Sequence, residues 1–293
     1  MYIIDMMDTF RGKYKLIGIG DFSHGINDIW IYRIYVIKQI IKNNFIPKIF
    51  LEDSDYGPNN IMTDPKISIK SKKYNYRYEF PMMRYSGFRI YDSPIYLEFI
   101  KIVKKYGVEI YGIDSEDKYR EKKMADNILD NMNNSKTTIN LFFGHNFHID
   151  DREIKYKSHY KYTTGHYLKK KLGDNYCIIL SSGLGGSIRF DGINGVVSKI
   201  PFLKKYTVNQ KIYGNIMNKK TGEIYINETN LGIQMPGTLN NNIITINNSF
   251  SQIVETGWSY DSSIWTDTNV YKPGIEINYL IIFKSTDSLT LFQ

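Results

Sequence analysis

The residues Thr138-Ile-Asn-Leu-Phe-Phe143, followed directly by Gly144-His-Asn-Phe-His148, give the clearest strand signal in the chain. The first six form a short, largely apolar run, and polar residues begin where it ends. Strands that are apolar on both faces and alternate with helices are typical of an α/β fold with a largely parallel sheet flanked by helices. The predicted strands are residues 15–20, 48–51, 108–113, 138–143 and 176–180, and the predicted helices are residues 26–43, 93–106, 116–133 and 164–172.

The pattern changes beyond residue 186. Helical periodicity fades, and turns rich in asparagine and glycine separate four short strand-like runs, at residues 211–216, 223–226, 243–246 and 279–283. The chain has no internal repeat and no long linker. We therefore predict a single domain over residues 1–293, with an α/β core at residues 14–190 and a strand-rich C-terminal part at residues 191–293.

Composition and charge limit the classes of partner. Apolar residues make up 42% of the chain, which is enough for a sizeable core. The net charge of +8 is compatible with an anionic partner, and basic residues mixed with tyrosines at 66–77 and 155–171 can contact single-stranded nucleic acid. The lysines are scattered, however, and accompany no recognised nucleic-acid motif. We therefore expect a small-molecule or peptide substrate and no nucleic-acid partner, and the oligomeric state stays open.

Cysteine content and the apolar runs indicate the compartment. Cys177 is the single cysteine, so no disulfide forms within the chain, which is typical of a reducing compartment. It lies in an apolar run, where we predict a buried strand residue and not a nucleophile. No apolar run approaches the roughly 20 residues of a membrane span, and the first ten residues lack the features of a signal peptide. We predict a cytoplasmic protein without membrane contact.

Polar or glycine-rich residues follow each predicted strand of the core, where α/β sheets of this kind form their sites. Three of the five histidines lie at these ends: His24 after the first strand, and His145 and His148 after the fourth. Asp21 follows the first strand and Glu52 the second. Histidine transfers protons near neutral pH, and a neighbouring carboxylate orients it and stabilises its charged form. Each residue alone has an ordinary structural explanation, such as capping, but together they predict an active site.

Two common alternatives fit these residues poorly. Gly18 and Gly20 suggest a dinucleotide-binding turn, but Ser23 stands where the third glycine of that motif belongs. Ser23 also lacks the glycine two residues before it that a nucleophile elbow requires. We therefore expect neither a nucleotide cofactor nor a serine hydrolase.

The strand ends resemble the erythromycin esterase family. Gly18-Ile-Gly-Asp-Phe-Ser-His-Gly25 resembles its Gly-Glu-x-x-His-Gly turn, and Arg33 follows His24 by nine residues, as in that family. Phe50-Leu-Glu-Asp53 resembles the family's second strand end. Leu141-Phe-Phe-Gly-His-Asn-Phe-His-Ile149 resembles its His-Asn-x-His signature. The resemblance extends over residues 14–190 and is weak beyond them.

The resemblance implies hydrolysis of an ester or lactone, without a cofactor or a covalent enzyme intermediate. The histidine matching His24 is expected to be the general base that activates water, supported by the residues matching Glu52 and His145. Asp21 stands where the family carries a glutamate, which shortens that side chain by one methylene. Between residues 114 and 141 only one helix fits, where macrolide esterases carry a long helical insertion, so we expect a more open pocket.

For this chain, the hypothesis is a metal-independent carboxylic ester hydrolase. His24 takes a proton from water, and Glu52 or Asp21 orients its imidazole. His145 and Arg33 stabilise the oxyanion that forms on the substrate.

Two further contributions and two alternatives complete the hypothesis. His148 is expected to donate to the leaving group or to brace the site, and the backbone amides of residues 183–186 to assist the oxyanion. The same carboxylates and imidazoles are also plausible ligands for zinc or another divalent metal, which would make the protein a metal-dependent hydrolase. An acyl-transfer or biosynthetic enzyme acting on a peptide or small metabolite also stays open, because a fold does not fix its function.

Overall fold

The structure, a computed structural model, describes residues 13–22, 26–54, 93–115, 118–153, 161–183, 186–189, 197–200, 243–246, 253–255, 269–271 and 278–283. Its strands are β1 (Leu16–Asp21), β2 (Ile46–Ser54), β3 (Glu109–Asp114), β4 (Thr138–His145), β5 (Tyr176–Gly183), β6 (Gly186–Arg189), β7 (Val197–Ile200), β8 (Ile243–Ile246), β9 (Ile253–Glu255), β10 (Asn269–Tyr271) and β11 (Tyr279–Phe283). Its helices are α1 (Asn27–Lys42), α2 (Pro94–Tyr106), α3 (Arg120–Asn131), the single turn α4 (Asn146–Ile149) and α5 (Thr164–Leu172), which a 3-10 turn (Gly173–Asn175) follows.

One sheet contains seven of these strands, in the order β3-β2-β4-β1-β5-β11-β8. The first six are parallel to one another, and β8 pairs antiparallel with β11 at the edge. The predicted α/β fold, with its largely parallel sheet flanked by helices, is confirmed, and the described elements beyond residue 190 are all strands. The runs predicted at 243–246 and 279–283 are β8 and β11, whereas those at 211–216 and 223–226 lie outside the described residues. The single-domain boundary stays a prediction.

Helices α1 and α2 cover one face of the sheet. Their apolar side chains share a buried cluster with alternate strand residues such as Ile17, Ile19 and Phe143, as the two-residue repeat of a strand requires. The opposite face of β1 carries Gly18 and Gly20, which face residues of α4 and the start of β5. Helix α5 packs with α3 and β5, and α3 also packs against β3. The sheet is therefore covered on both sides.

Local sequence accounts for both ends of α2. Ser93 Oγ accepts the N–H of Tyr96 at 3.3 Å, and Pro94 occupies the first helical position of α2. Gly107 ends α2 with a φ of 62°, a conformation that favours glycine. Helix α3 is shorter than the predicted 116–133. It ends at Asn131 because Asn133 exchanges hydrogen bonds with the Asn140 side chain of β4.

Two further predictions concern the single cysteine and membrane-spanning segments. Cys177 lies in β5 and is fully buried, as predicted. Within the described part of the chain, no helix combines the length and the apolar character that crossing a membrane requires.

The strand order brings the predicted site residues together at the carboxyl ends of neighbouring strands. β1 lies between β4 and β5, and its register pairs Asp21 with His145. β2 lies on the other side of β4. The carboxyl ends of the first, second and fourth predicted strands are therefore neighbours, as the rule for open α/β sheets anticipates.

Candidate active site

The carboxyl ends of β2 and β4 bring Glu52, His145 and His148 into contact. The backbone N–H of His145 donates to Glu52 Oε2 at 2.6 Å. The Nε2 atom of His148 lies 3.0 Å from Glu52 Oε1. One carboxylate is thus held by both histidine residues, by the first through its backbone and by the second through its ring.

The single turn α4 explains how two histidines three residues apart reach the same carboxylate. β4 ends at His145, and the Nδ1 atom of that ring accepts the N–H of Phe147 at 3.3 Å, which caps the turn. Because a ring nitrogen that accepts carries no proton, the neutral ring of His145 carries its proton on Nε2. The turn then places His148 inside, where 5% of it is exposed.

Asn146 fixes α4 across the end of β1. Its side chain donates to the carbonyl of Ser181 at 2.7 Å and accepts the N–H of Ser181 at 3.1 Å, which connects α4 to β5. A Cβ atom at Gly20 would collide with this asparagine side chain. Packing therefore requires a glycine at position 20, which supplies a reason for the glycine-rich turn without a bound phosphate.

His148 lies between two carboxylates. Its Nδ1 atom is 2.9 Å from Glu121 Oε2, and Glu52 is on the other side of the ring. Burial alone would lower the pKa of His148, but the carboxylates of Glu121 and Glu52 raise it to about 10. The ring is therefore an imidazolium near neutral pH, and both of its N–H groups donate. These contacts favour a bracing role for His148 over donation to a leaving group.

Glu121, in the first turn of α3, is held by the start of α5. Its Oε2 atom accepts the backbone N–H of Thr164 at 2.9 Å and the hydroxyl of Thr164 at 2.8 Å. Burial alone would raise the pKa of Glu121, but the neighbouring His148 imidazolium and the Arg120 guanidinium lower it below its ordinary value. Glu121 is therefore a carboxylate with a fixed position.

Arg120 adds a second cation to the cluster. It binds Asp114 through two hydrogen bonds, Nε to Oδ1 at 2.6 Å and Nη2 to Oδ2 at 2.7 Å. Its Nη2 atom also lies 3.5 Å from Glu52 Oε1. Neither Arg120 nor Glu121 was among the predicted site residues. An adjacent arginine and glutamate in a polar helix are typical of a solvent-facing surface, and no spacing in the sequence indicates that Glu121 is buried.

Asp21 and Arg33 form a separate buried pair at the end of β1. Arg33 Nη2 donates to Asp21 Oδ2 at 2.7 Å, and to the carbonyls of Ile19 and Gly144 at 3.2 and 3.1 Å. Only 1% of Arg33 is exposed. The guanidinium therefore ties β1 to β4, a position that favours a supporting role over the predicted contact with a substrate oxyanion.

Part of the predicted site, namely His24 and residues 184–185 of the glycine loop, lies outside the described residues. Among the residues that the structure does describe, no group of three or more histidine, cysteine, aspartate or glutamate side chains is arranged to hold a metal ion. The contacts give a reason, because both ring nitrogens of His148 face carboxylates and Asp21 binds Arg33. The metal-dependent alternative includes His24 and stays open.

No protein-family model and no curated protein sequence matches the chain. Three solved structures are similar in fold. A succinoglycan biosynthesis protein gives a TM-score of 0.64 at 12% identity, with 99% of this chain and 92% of that protein aligned. A Bacillus cereus protein gives 0.57 at 10% identity, with 99% and 93% aligned.

The third structure is a histidine-to-asparagine variant of the erythromycin esterase EreC in its open conformation. It gives a TM-score of 0.59 at 7% identity, with 99% of this chain and 95% of that protein aligned. At these identities the similarity is one of fold. The chain therefore shares its architecture with an erythromycin esterase and with a succinoglycan biosynthesis protein.

Proposed function

We propose that this protein is a carboxylic ester hydrolase in which His24 activates water without a metal. The observation that supports this best is the Glu52 carboxylate, held by the N–H of His145 and the ring of His148 at adjacent strand ends. Burying an imidazolium between two carboxylates costs desolvation free energy, which apolar side chains would avoid. Clusters of buried groups with shifted pKa values are concentrated at functional sites.

Chain connectivity supports His24 as the base. It follows Asp21 by three residues, so the two Cα atoms are at most about 11 Å apart. Asp21 is the register partner of His145, whose N–H binds Glu52. We assign Glu52 the role of orienting the His24 imidazole and stabilising its charge.

In the proposed reaction, His24 takes a proton from water as the water oxygen attacks the carbonyl carbon of an ester or lactone. The Nε2–H of His145 stabilises the resulting oxyanion. The tetrahedral intermediate then breaks its C–O bond, and the departing alkoxide takes the proton from His24. The products are a carboxylic acid and an alcohol. His148 and Arg33 hold Glu52 and the strand ends in place and do not touch the substrate.

A panel of p-nitrophenyl esters and lactones tests this proposal. We expect His24→Ala to lower the turnover rate by about 10²-fold or more, the usual contribution of a general base. His166→Ala is the matched control, because His166 stacks on Tyr162 at 4.1 Å and binds the backbone of Asp151, outside the site. Circular dichroism checks that both variants fold. Full activity in His24→Ala would contradict the assignment.

A second candidate is acyl transfer with the same residues, since one protein of the same fold is a biosynthesis protein and a fold does not fix the reaction. In that reaction the hydroxyl of an acceptor replaces water, and the same base removes its proton. Adding alcohol or saccharide acceptors to the ester assay distinguishes the two. An acylated acceptor formed at the expense of the free acid would favour transfer over hydrolysis.

A further inference from the structure

We propose that Glu121 is a positioning residue, which the start of α5 holds in place and which fixes Glu52 through the ring of His148. The expected effect of Glu121 on the reaction rate rests on the proposed function. The geometric argument is independent of that function, because it uses only contacts among described residues.

These contacts form a line of alternating charge. The backbone N–H of Thr164, at the positive end of a nine-residue helix, donates to Glu121. Glu121 faces Nδ1 of His148, and Nε2 of His148 faces Glu52. Glu52 then accepts the N–H of His145. Along this line, each charged side chain therefore contacts donors or charges of opposite polarity, while the Arg120 guanidinium, whose Nη1 atom lies 3.5 Å from His148 Nε2, adds a like charge beside the ring.

Burial defines the kind of role that Glu121 has. Only 1% of it is exposed, and Thr164 binds both its side chain and its backbone carbonyl. A residue enclosed in this way acts through its neighbours. His148 is the neighbour on the side of the proposed site, with Glu52 beyond it, and Arg120 Nη1 lies 3.9 Å from Glu121 Oε1.

Removing the negative charge of Glu121 should weaken the hold on Glu52. Without it, the His148 imidazolium faces only Glu52 and competes with the Arg120 guanidinium for that carboxylate. When the ring loses the proton on Nδ1, the Nε2–H still reaches Glu52, but that bond no longer has the strength that the positive charge of the ring gives it. Glu52 is then held less firmly against the N–H of His145.

Glu121→Gln tests this inference, because it keeps the size of the side chain and removes its charge. We expect kcat on an ester substrate to fall about tenfold or more. KM should stay within about twofold, since no contact with the substrate changes. The alkaline limit of activity should also move to lower pH, which a merely structural residue would not cause. Asp126→Asn is the matched control, because Asp126 lies on the same helix, its side chain is 42% exposed and it pairs with Lys122.

A second readout does not depend on activity. Nitrogen-15 NMR of the full chain at pH 8 should find the His148 ring doubly protonated in the wild type and in Asp126→Asn, and largely neutral in Glu121→Gln. The amide proton of His145 should move upfield in Glu121→Gln as its bond to Glu52 weakens. If Glu121→Gln does not fold, Thr164→Val removes the hydroxyl donor to Glu121 Oε2 and keeps the charge of Glu121. The His148 ring should then stay doubly protonated, and the His145 amide should move upfield at smaller amplitude as Glu121 is held less firmly.

The outcomes are distinct. A His148 ring and a His145 amide that do not change overturn the inference. The inference is also overturned if the His148 ring becomes neutral in Glu121→Gln while the His145 amide shift and kcat keep their wild-type values. If wild-type protein hydrolyses no ester or lactone, the proposed function fails, and the NMR shifts still decide whether Glu121 positions Glu52.

Discussion

Replacing Arg33 by methionine removes the cation from a pair that is almost wholly enclosed. The side chains of Arg33 and Asp21 are 2% and 0% exposed, and their closest atoms are 2.7 Å apart. The variant would leave the Asp21 carboxylate buried without its guanidinium. Methionine fills much of the same volume, so the loss of charge and hydrogen bonds dominates the effect.

The magnitude follows from these contacts. Breaking a buried ion pair by removing one partner costs about 3–5 kcal/mol. The bonds from Arg33 to the carbonyls of Ile19 and Gly144 are lost together with the pair, so their free energies are not added separately. Since whole domains are stable by about 5–15 kcal/mol, the expected loss is about a fifth or more of the total.

Urea unfolding of four proteins measures this effect: wild type, Arg33→Met, Asp21→Asn and the double variant. The double variant contains neither charge, so it should be more stable than the sum of the single losses implies, by about 2 kcal/mol. Additive losses within about 0.5 kcal/mol would refute the reasoning, because they would mean that the two residues do not interact.

Three further expectations concern stability and reactivity. The pKa of His148 is raised from 6.5 to about 10. The stability that the charged His148 ring contributes is therefore complete below pH 6.5 and is lost as the pH rises through about 10. In urea unfolding, the advantage of wild type over His148→Gln should shrink over that range. Gly165→Ala should lower the midpoint of thermal unfolding, because the added Cβ would collide with the carbonyls of Ile149 and Asp150. Alanine usually stabilises a helix relative to glycine, so a higher midpoint would contradict this expectation. Burial raises the pKa of the Cys177 thiol, so a disulfide reagent should react with it only when urea is present, and rapid reaction of the native protein would count against it.

The regular part of the fold could be predicted because its signals are local. The apolar runs at 15–20 and 138–143 are matched by β1 and β4, and the run at 279–283 by β11. The order of the strands could not be predicted. An apolar run indicates that a strand is buried on both faces, and it does not identify its neighbours. The position of β1 between β4 and β5 depends on packing across the whole sheet.

The residues of the candidate site also fall into two groups, those that local sequence predicts and those that depend on tertiary packing. Glu52, His145 and His148 could be predicted to converge because each follows a strand, and strand ends share an edge. Glu121 could not be predicted, since its burial depends on the start of α5 lying against α3, a contact between segments 43 residues apart. Arg33 was identified by its spacing from His24, but its enclosure by three strand-end oxygens is a tertiary property.

The single helix between β3 and β4 bears on the kind of substrate the proposed enzyme would accept. The resemblance to the erythromycin esterase family implies that macrolide esterases carry a long helical insertion between the corresponding strands. In this chain, α3 lies there instead. Met124 and Ile128 of α3 are fully buried, and the first turn of the helix supplies Arg120 and Glu121 to the ion network. A helix fixed in this way is not available to close over a substrate. The proposed site should therefore favour small esters over substrates that require enclosure by this segment, and a comparison of kcat/KM across esters of increasing size measures that preference.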